Sequence, residues 1–247
     1  MRRFLPWLAV MLVGLALSAC GGSDDSSSAG GEPLTVFAAA SLTEVFPELD
    51  PEPSYNFAGS DELAVQIREG APADVFASAN ARYPDELFDE GLVEEPQVFA
   101  TNRLVLIVPA ANPAGIDSVE DVTEPGVKLV VAGESVPVGE YTREVLGTLG
   151  LEAALDNVVS NEDDVKGVVS KVSLGEADAG FVYATDAAVA GEEVQVIDLP
   201  EESQPPIEYK IAVVSASDAQ DAAQAFVDLV LSDEGQQQLA AAGFGTP

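Results

Sequence analysis

Val36-Phe37-Ala38-Ala39-Ala40-Ser41-Leu42-Thr43-Glu44 runs from strand to helix with no loop between them. Its apolar half has the continuous hydrophobicity of a strand buried on both faces. Ser41 and Glu44 then stand at the S-x-x-E spacing of a capping box, in which the serine oxygen accepts from a free amide of the first turn. A helix that starts where a strand stops aims its unpaired N–H groups and the positive end of its dipole out of the sheet, and such a terminus accepts anions. The three alanines allow close approach. A serine here also has a purely local use as a cap, so by itself the stretch speaks for the fold: a strand feeding a helix directly, the unit of an α/β protein.

Outward from this stretch the same rhythm repeats. Apolar runs predict strands over 34–40, 55–58, 73–77, 103–109, 128–132, 180–183, 194–199 and 210–214. Between them, helical spacing predicts helices over 41–49, 61–69, 85–90 and 163–174, and a tail helix over 219–242. Another helix opens at Val136-Pro137-Val138-Gly139, with Tyr141, Val145, Leu146 and Leu149 on one face. Gly70, Gly91, Gly150 and Gly175 supply stops. The alternation predicts an α/β fold with mainly parallel sheets. The long strands at 103–109 and 210–214 flank a middle section with strands and helices of its own. Two lobes follow, one from residues 33–108 plus 209–247 and the other from 109–208, with a ligand cleft between them.

The N-terminal residues read as targeting rather than fold. Arg2 and Arg3 precede an apolar run from Leu5 to Leu17, so 1–19 is expected to be an export signal. The run ends in Leu17-Ser18-Ala19-Cys20, which resembles a lipobox whose cysteine is lipidated. Cys20 is the only cysteine in the chain and has no internal disulfide partner. The Gly/Ser/Asp-rich stretch that follows, to residue 32, has the composition of a flexible tether. The expectation is a lipoprotein on the outer face of the cytoplasmic membrane, held there by lipid and not by a second span.

Composition removes several function classes. The chain of 247 residues carries 10 Lys and Arg against 43 Asp and Glu, a net charge of −33, with no basic stripe to neutralise nucleic-acid phosphates. It contains no histidine, which excludes a Ser-His-Asp triad, an imidazole base and any His-ligated metal. Carboxylates are abundant but gather in runs such as Glu162-Asp163-Asp164, whose ordinary use is a solvated face. A hydrolase using paired carboxylates such as Asp61 and Asp74 remains an alternative, as does a surface adhesion module.

Four further places resemble the Ser41 stretch. Gly59-Ser60 precedes a helix, Pro137-Val138-Gly139 begins one with small residues, Asp163-Asp164-Val165 begins another, and Tyr183 closes the strand Gly180-Phe181-Val182. Each has a local account: Ser60 and Asp163 as caps, Val138-Gly139 as a turn, Tyr183 as a core aromatic. Several donor-rich helix starts in one two-lobed protein favour an oxyanion held by neutral hydrogen bonds.

The chain resembles the molybdate-binding proteins of molybdate ABC importers, which are periplasmic or lipid-anchored solute-binding proteins. The resemblance is carried by Val36–Thr43, by Phe57-Ala58-Gly59-Ser60 with Leu63-Ala64-Val65-Gln66-Ile67, and by Gly70-Ala71-Pro72-Ala73-Asp74-Val75-Phe76-Ala77-Ser78-Ala79. It continues through Val136-Pro137-Val138-Gly139-Glu140-Tyr141, Asp164-Val165-Lys166-Gly167 and Phe181-Val182-Tyr183-Ala184-Thr185-Asp186-Ala187, in family order, and Ala242-Gly243-Phe244 near the C-terminus also fits. It implies a type II periplasmic-binding-protein fold and a monomeric carrier with no enzymatic activity and no cofactor. The ligand it implies is molybdate, with tungstate as a near twin and sulfate as the runner-up, and the partner an ABC permease. Carried over residue by residue, the dianion is held by the hydroxyls of Ser41, Ser60 and Tyr183 and the backbone amides of Val138 and Val165. The Ala40 and Ser60 amides are further candidate donors, and molybdenum enters as molybdate without a direct protein ligand. Two features depart from the family pattern. Asp61 stands where a small hydroxyl residue is common and would put a carboxylate beside the anion, and the segment between Leu42 and Tyr55 is short.

Overall fold

The computed structural model describes residues 33–247; the export signal expected over 1–19, the lipidation expected at Cys20 and the tether expected over 20–32 lie outside the described residues. The first sheet and its helices are built from β1 (Thr35–Ala39), α1 (Val45–Leu49), β2 (Ser54–Ala58), α2 (Ser60–Arg68), β3 (Val75–Ser78), α3 (Arg82–Asp89) and β4 (Gln97–Asn102). The second is built from β5 (Leu104–Pro109), β6 (Leu129–Ala132), α4 (Pro137–Leu149), β7 (Val158–Glu162), α5 (Val165–Ser173), β8 (Ala179–Tyr183), α6 (Ala184–Ala190) and β9 (Val194–Asp198). The chain then returns through β10 (Ile207–Val213) to α7 (Gln220–Leu231) and α8 (Asp233–Ala241). Among the described residues no helix is long and apolar enough to cross a membrane.

The two sheets share one plan. Their strand orders are β2-β1-β3-β10-β4 and β7-β6-β8-β5-β9. In each, three parallel strands joined by helices lie beside a strand that arrives after a crossing from the other sheet and runs antiparallel. These visitors are β10, pairing with β3 and β4, and β5, pairing with β8 and β9. The expected mainly parallel sheets are therefore mixed, because a strand entering from the other lobe comes in against the direction of the βα units.

The same pairing moves the expected lobe boundary. The sequence reading left 104–108 with the first lobe, but β5 sits inside the second sheet, so the crossing falls at Arg103. β5 is apolar and fully buried from end to end, and a run without alternation carries no information about which sheet receives it. The two crossings lie side by side. The Gln204 side-chain amide donates to the Leu104 carbonyl at 2.8 Å and accepts from the Leu104 N–H at 2.9 Å.

Two strands and one α-helix were not anticipated: β4, β7 and α6. β4 abuts the next strand with only Arg103 between them. β7 is an edge strand of half-exposed, largely polar residues, and α6 has seven residues, five of them Ala or Thr. The single tail helix expected over 219–242 is two helices. Ser232 ends α7, and its hydroxyl caps α8 by accepting from the Gly235 N–H at 3.1 Å. An aromatic column ties the layers together. Phe226 packs on Phe46 at 5.6 Å, Phe46 on Phe99 at 5.9 Å, Phe99 on Tyr209 at 6.0 Å and Tyr209 on Tyr183 at 5.7 Å between ring centres. It runs from α7 through the first sheet to the end of β8, which fixes the two tyrosines nearest the site.

Candidate functional site

Parallel strands of both sheets end facing one small cavity, at the carboxyl ends of the strands where open α/β folds receive ligands. Ala39–Ser41 after β1, Gly59 and Ser60 after β2, and Ala79 after β3 line it from the first sheet. Val136–Val138 before and within α4, Asp164 and Val165 at the start of α5, and Tyr183 at the end of β8 line it from the second. All of the expected residues, Ser41, Ser60, Val138, Val165 and Tyr183, together with Ala40, are brought together here. The cavity is small, with a volume of about 20 Å³, where a single water needs roughly 10–15 Å³. It suits one compact solute of a few heavy atoms, not a sugar or a peptide.

The hydroxyls are aimed by neighbours. Ser41 does not cap a helix: it lies inside a 3-10 turn, Ala40–Leu42, whose N-cap is Ala39 and which has no side-chain cap. The expected capping box with Glu44 does not form, because the chain breaks from this turn at Thr43 before α1 begins at Val45. The Ser41 Oγ lies 2.9 Å from the Tyr209 hydroxyl, which in turn receives the Asn102 side-chain N–H at 3.5 Å. Where the Tyr209 hydroxyl is the donor of this pair, the Ser41 proton is left for the cavity. Ser60 is the first residue of α2, and Gly59 is the N-cap. Its Oγ accepts from the Ala79 N–H at 3.1 Å, which leaves its proton free as well. The Tyr183 hydroxyl is buried and has no hydrogen-bond partner among the described residues. Burial pushes its pKa well above the ordinary value, so it keeps its proton.

The amides come from two helix starts. α4 begins with Pro137, which has no N–H, after an N-cap, Val136, that makes no side-chain bond. Val138 therefore supplies the first amide of this helix, and it has no hydrogen-bond partner among the described residues. The start of α4 lies so close to the end of β6 that a Cβ on Gly139 would fall 2.0 Å from the Gly133 carbonyl oxygen. In α5, the Asp164 carboxylate accepts from the Gly167 N–H at 2.9 Å and is thereby committed to capping. The Val165 amide at the first position has no hydrogen-bond partner among the described residues. The cap is Asp164, not Asp163.

Among the described residues no lysine or arginine lines the cavity, and the one ionisable carboxylate that does, Asp164, accepts from the Gly167 N–H. Asp61, expected beside the anion, is turned away. It lines a separate depression with Glu62, Ser135, Asn161, Glu162 and Asp163, and its Oδ2 accepts from the Ser135 hydroxyl at 2.6 Å. Asp74 is structural, accepting from the Thr35 N–H at 2.7 Å and the Ser217 hydroxyl. Asp61 and Asp74 thus share no cavity, and this pair offers no two-carboxylate hydrolase site. Periodicity did not single out Tyr209, Asn102, Lys166 or Asp186. Asp186, three residues after Tyr183, is a buried carboxylate facing the Lys166 ammonium at 3.3 Å. Burial pushes its pKa up to about 6 against the pull of Lys166. Lys166 also reaches Glu44 of the first lobe at 4.0 Å.

The comparisons with known proteins agree in extent and kind. A family model described as bacterial extracellular solute-binding protein matches residues 34–245. The molybdate-binding protein ModA of Mycobacterium tuberculosis (strain H37Rv) is 38% identical over 97% of this chain and 95% of its own. The molybdate-binding protein ModA of Escherichia coli K12 is 36% identical over 73% of this chain and 77% of its own. The periplasmic molybdate-binding protein of Azotobacter vinelandii shares the fold, with a TM-score of 0.77 at 22% identity over 87% of this chain and 99% of that one.

Proposed function

The chain belongs to the bacterial extracellular solute-binding protein family, and on that premise we propose that it captures molybdate, and tungstate with it, for delivery to the permease of an ABC importer. The observation that carries this reading is the cavity itself: hydroxyl and amide protons turned inward from both lobes, with no cationic side chain among the residues that line it. Ser41 and Ser60 donate from the first lobe, the Val138 and Val165 amides from the second, and Tyr183 from the end of β8. The Ala40 and Ser60 amides add to the set. The protein acts as a carrier and catalyses no reaction.

Molybdate at neutral pH is a dianion that offers only acceptors, so a shell made only of donors matches it at every oxygen. Phosphate usually retains a proton and needs an acceptor that this shell does not present. Each hydrogen bond to a charged group contributes roughly 1.5–3 kcal/mol, while ordering and closure cost several kcal/mol. Five donors leave a surplus sufficient for tight binding without a buried ion pair. Sulfate carries the same charge on a smaller tetrahedron, and its rejection rests on fit. The acidic surface slows capture at low ionic strength, an effect screened beyond about 10 Å in 0.1 M salt. We further assign Cys20 as the lipid anchor that keeps a monomeric carrier at the outer face of the cytoplasmic membrane.

Calorimetric titration of one preparation with molybdate, tungstate, sulfate and phosphate tests the reading. Saturable one-to-one binding of molybdate and tungstate, with sulfate at least tenfold weaker and phosphate silent, is expected. Uptake of phosphate but not molybdate would refute the ligand.

A further inference from the structure

Outside the anion cavity, a cluster of polar contacts joins the two lobes at one point. The Ser135 hydroxyl donates to Asp61 Oδ2 at 2.6 Å. The Ser135 carbonyl accepts from the Tyr83 hydroxyl and from Arg82 Nη2, the latter at 3.3 Å. Arg82 also lies 3.3 Å from the Glu140 carboxylate, which accepts from the Asn80 side-chain amide at 3.4 Å. Asp61, Asn80, Arg82 and Tyr83 belong to the first sheet and its helices, Ser135 and Glu140 to the turn before α4 and to α4 itself.

We propose that Asp61 and Ser135 form an inter-lobe latch that sets the affinity of the anion site from outside it, as positioning residues that favour the closed form. The placement is specific. Asp61 follows Ser60, a hydroxyl donor of the first lobe, and Ser135 stands three residues before Val138, an amide donor of the second. Their hydrogen bond therefore registers the two halves of the donor shell against each other. Gly59 marks how tightly the lobes meet: a Cβ there would lie 2.6 Å from the Asp163 carbonyl of the second lobe and 2.6 Å from Asp61 Oδ1. The latch also accounts for a carboxylate beside an anion site. Bonded to Ser135, Asp61 faces the neighbouring depression and not the cavity. A ligand that requires closed lobes binds with an apparent dissociation constant equal to the intrinsic one divided by the closed fraction, so a contact that raises that fraction tightens binding without touching the ligand.

This inference rests on the proposed anion site, and its test separates the two. Ser135→Ala removes the donor and changes no charge. It is expected to weaken molybdate binding about tenfold, with Ser135→Thr retaining affinity. Asp61→Asn is also expected to weaken binding, and the double variant to lose less than the sum of the two single losses. If Asp61 acts only as a nearby negative charge, Asp61→Asn binds more tightly and Ser135→Ala is unchanged; that result overturns the latch. If the unaltered protein takes up no molybdate, the ligand assignment fails and the latch is read from small-angle scattering of the anion-free protein. A larger radius of gyration for Ser135→Ala than for the unaltered chain then supports it, and superimposable curves overturn it.

Discussion

Three hydroxyl groups face the cavity, and each takes its direction from a different neighbour: Tyr209 for Ser41, the Ala79 amide for Ser60, and the packing of β8 against the aromatic column for Tyr183. Tyr183→Phe removes one donor and keeps the ring. Affinity for the anion is expected to fall ten- to a hundredfold, while the anion-free protein melts no lower, since the lost hydroxyl has no partner there. Ser41→Ala should weaken binding to a similar degree, and unchanged affinity in both variants would refute the site. Asp186 gives a pH dependence of known sign. Its carboxyl is raised from the usual 3.8 to about 6, so the native state holds a proton that the unfolded chain has released. The stability it contributes is fully present below about pH 4 and lost as the pH rises to about 6, a change of order 3 kcal/mol. Asp186→Asn removes this titration, so the melting temperature of the unaltered protein relative to the variant should fall between pH 4 and 6; a constant difference would contradict the assignment. That Ser41, Ser60 and Tyr183 line one cavity was legible in the sequence because they sit at strand ends within family-like segments. Tyr209 and Asn102 were not, because their roles depend on a sheet position that only the return of β10 creates.

At the scale of elements, two helix starts supply the amide donors, and small residues let them approach the sheet ends. Gly139→Ala would drive a methyl group into the Gly133 and Ala132 carbonyls. That clash should displace the start of α4 and lower the melting temperature by several degrees, with anion binding lost in step. Retention of both would mean that the helix start is looser than described. Helix stops were the easiest features to read: Gly70, Gly91, Gly150 and Gly175 all adopt the left-handed conformation expected of C-terminal glycines. Helix starts were harder. Ser41 and Ser60 look like caps, yet Ser41 lies inside a 3-10 turn and Ser60 is the first residue of α2, one position past the N-cap, and their oxygens turn to Tyr209 and Ala79 instead. Long-range partners overrode the local pattern at both positions, which are the ones proposed to bind.

At the scale of the whole molecule, the chain makes one architecture twice and exchanges a strand between the copies. The alternation of strands and helices announced the α/β class and the two lobes. It misplaced the crossing by one strand, because the uninterrupted apolarity of β5 is compatible with burial in either sheet. The exchange puts the two crossings side by side, where the Gln204 side-chain amide pairs with the Leu104 backbone. Replacing Cys20 by serine is expected to shift the protein from the membrane to the soluble extracytoplasmic fraction, and persistence in the membrane would contradict the anchor. The central claim is that a shell of uncharged donors, contributed by both lobes, holds a tetrahedral dianion. A crystal structure with molybdate, located by the anomalous signal of molybdenum, tests it most directly. The account predicts a single peak with its oxygens within hydrogen-bond distance of the Ser41, Ser60 and Tyr183 hydroxyls and the Val138 and Val165 amides, and no cation in contact. A peak elsewhere, or an anion held by a lysine, an arginine or a metal ion, would contradict it.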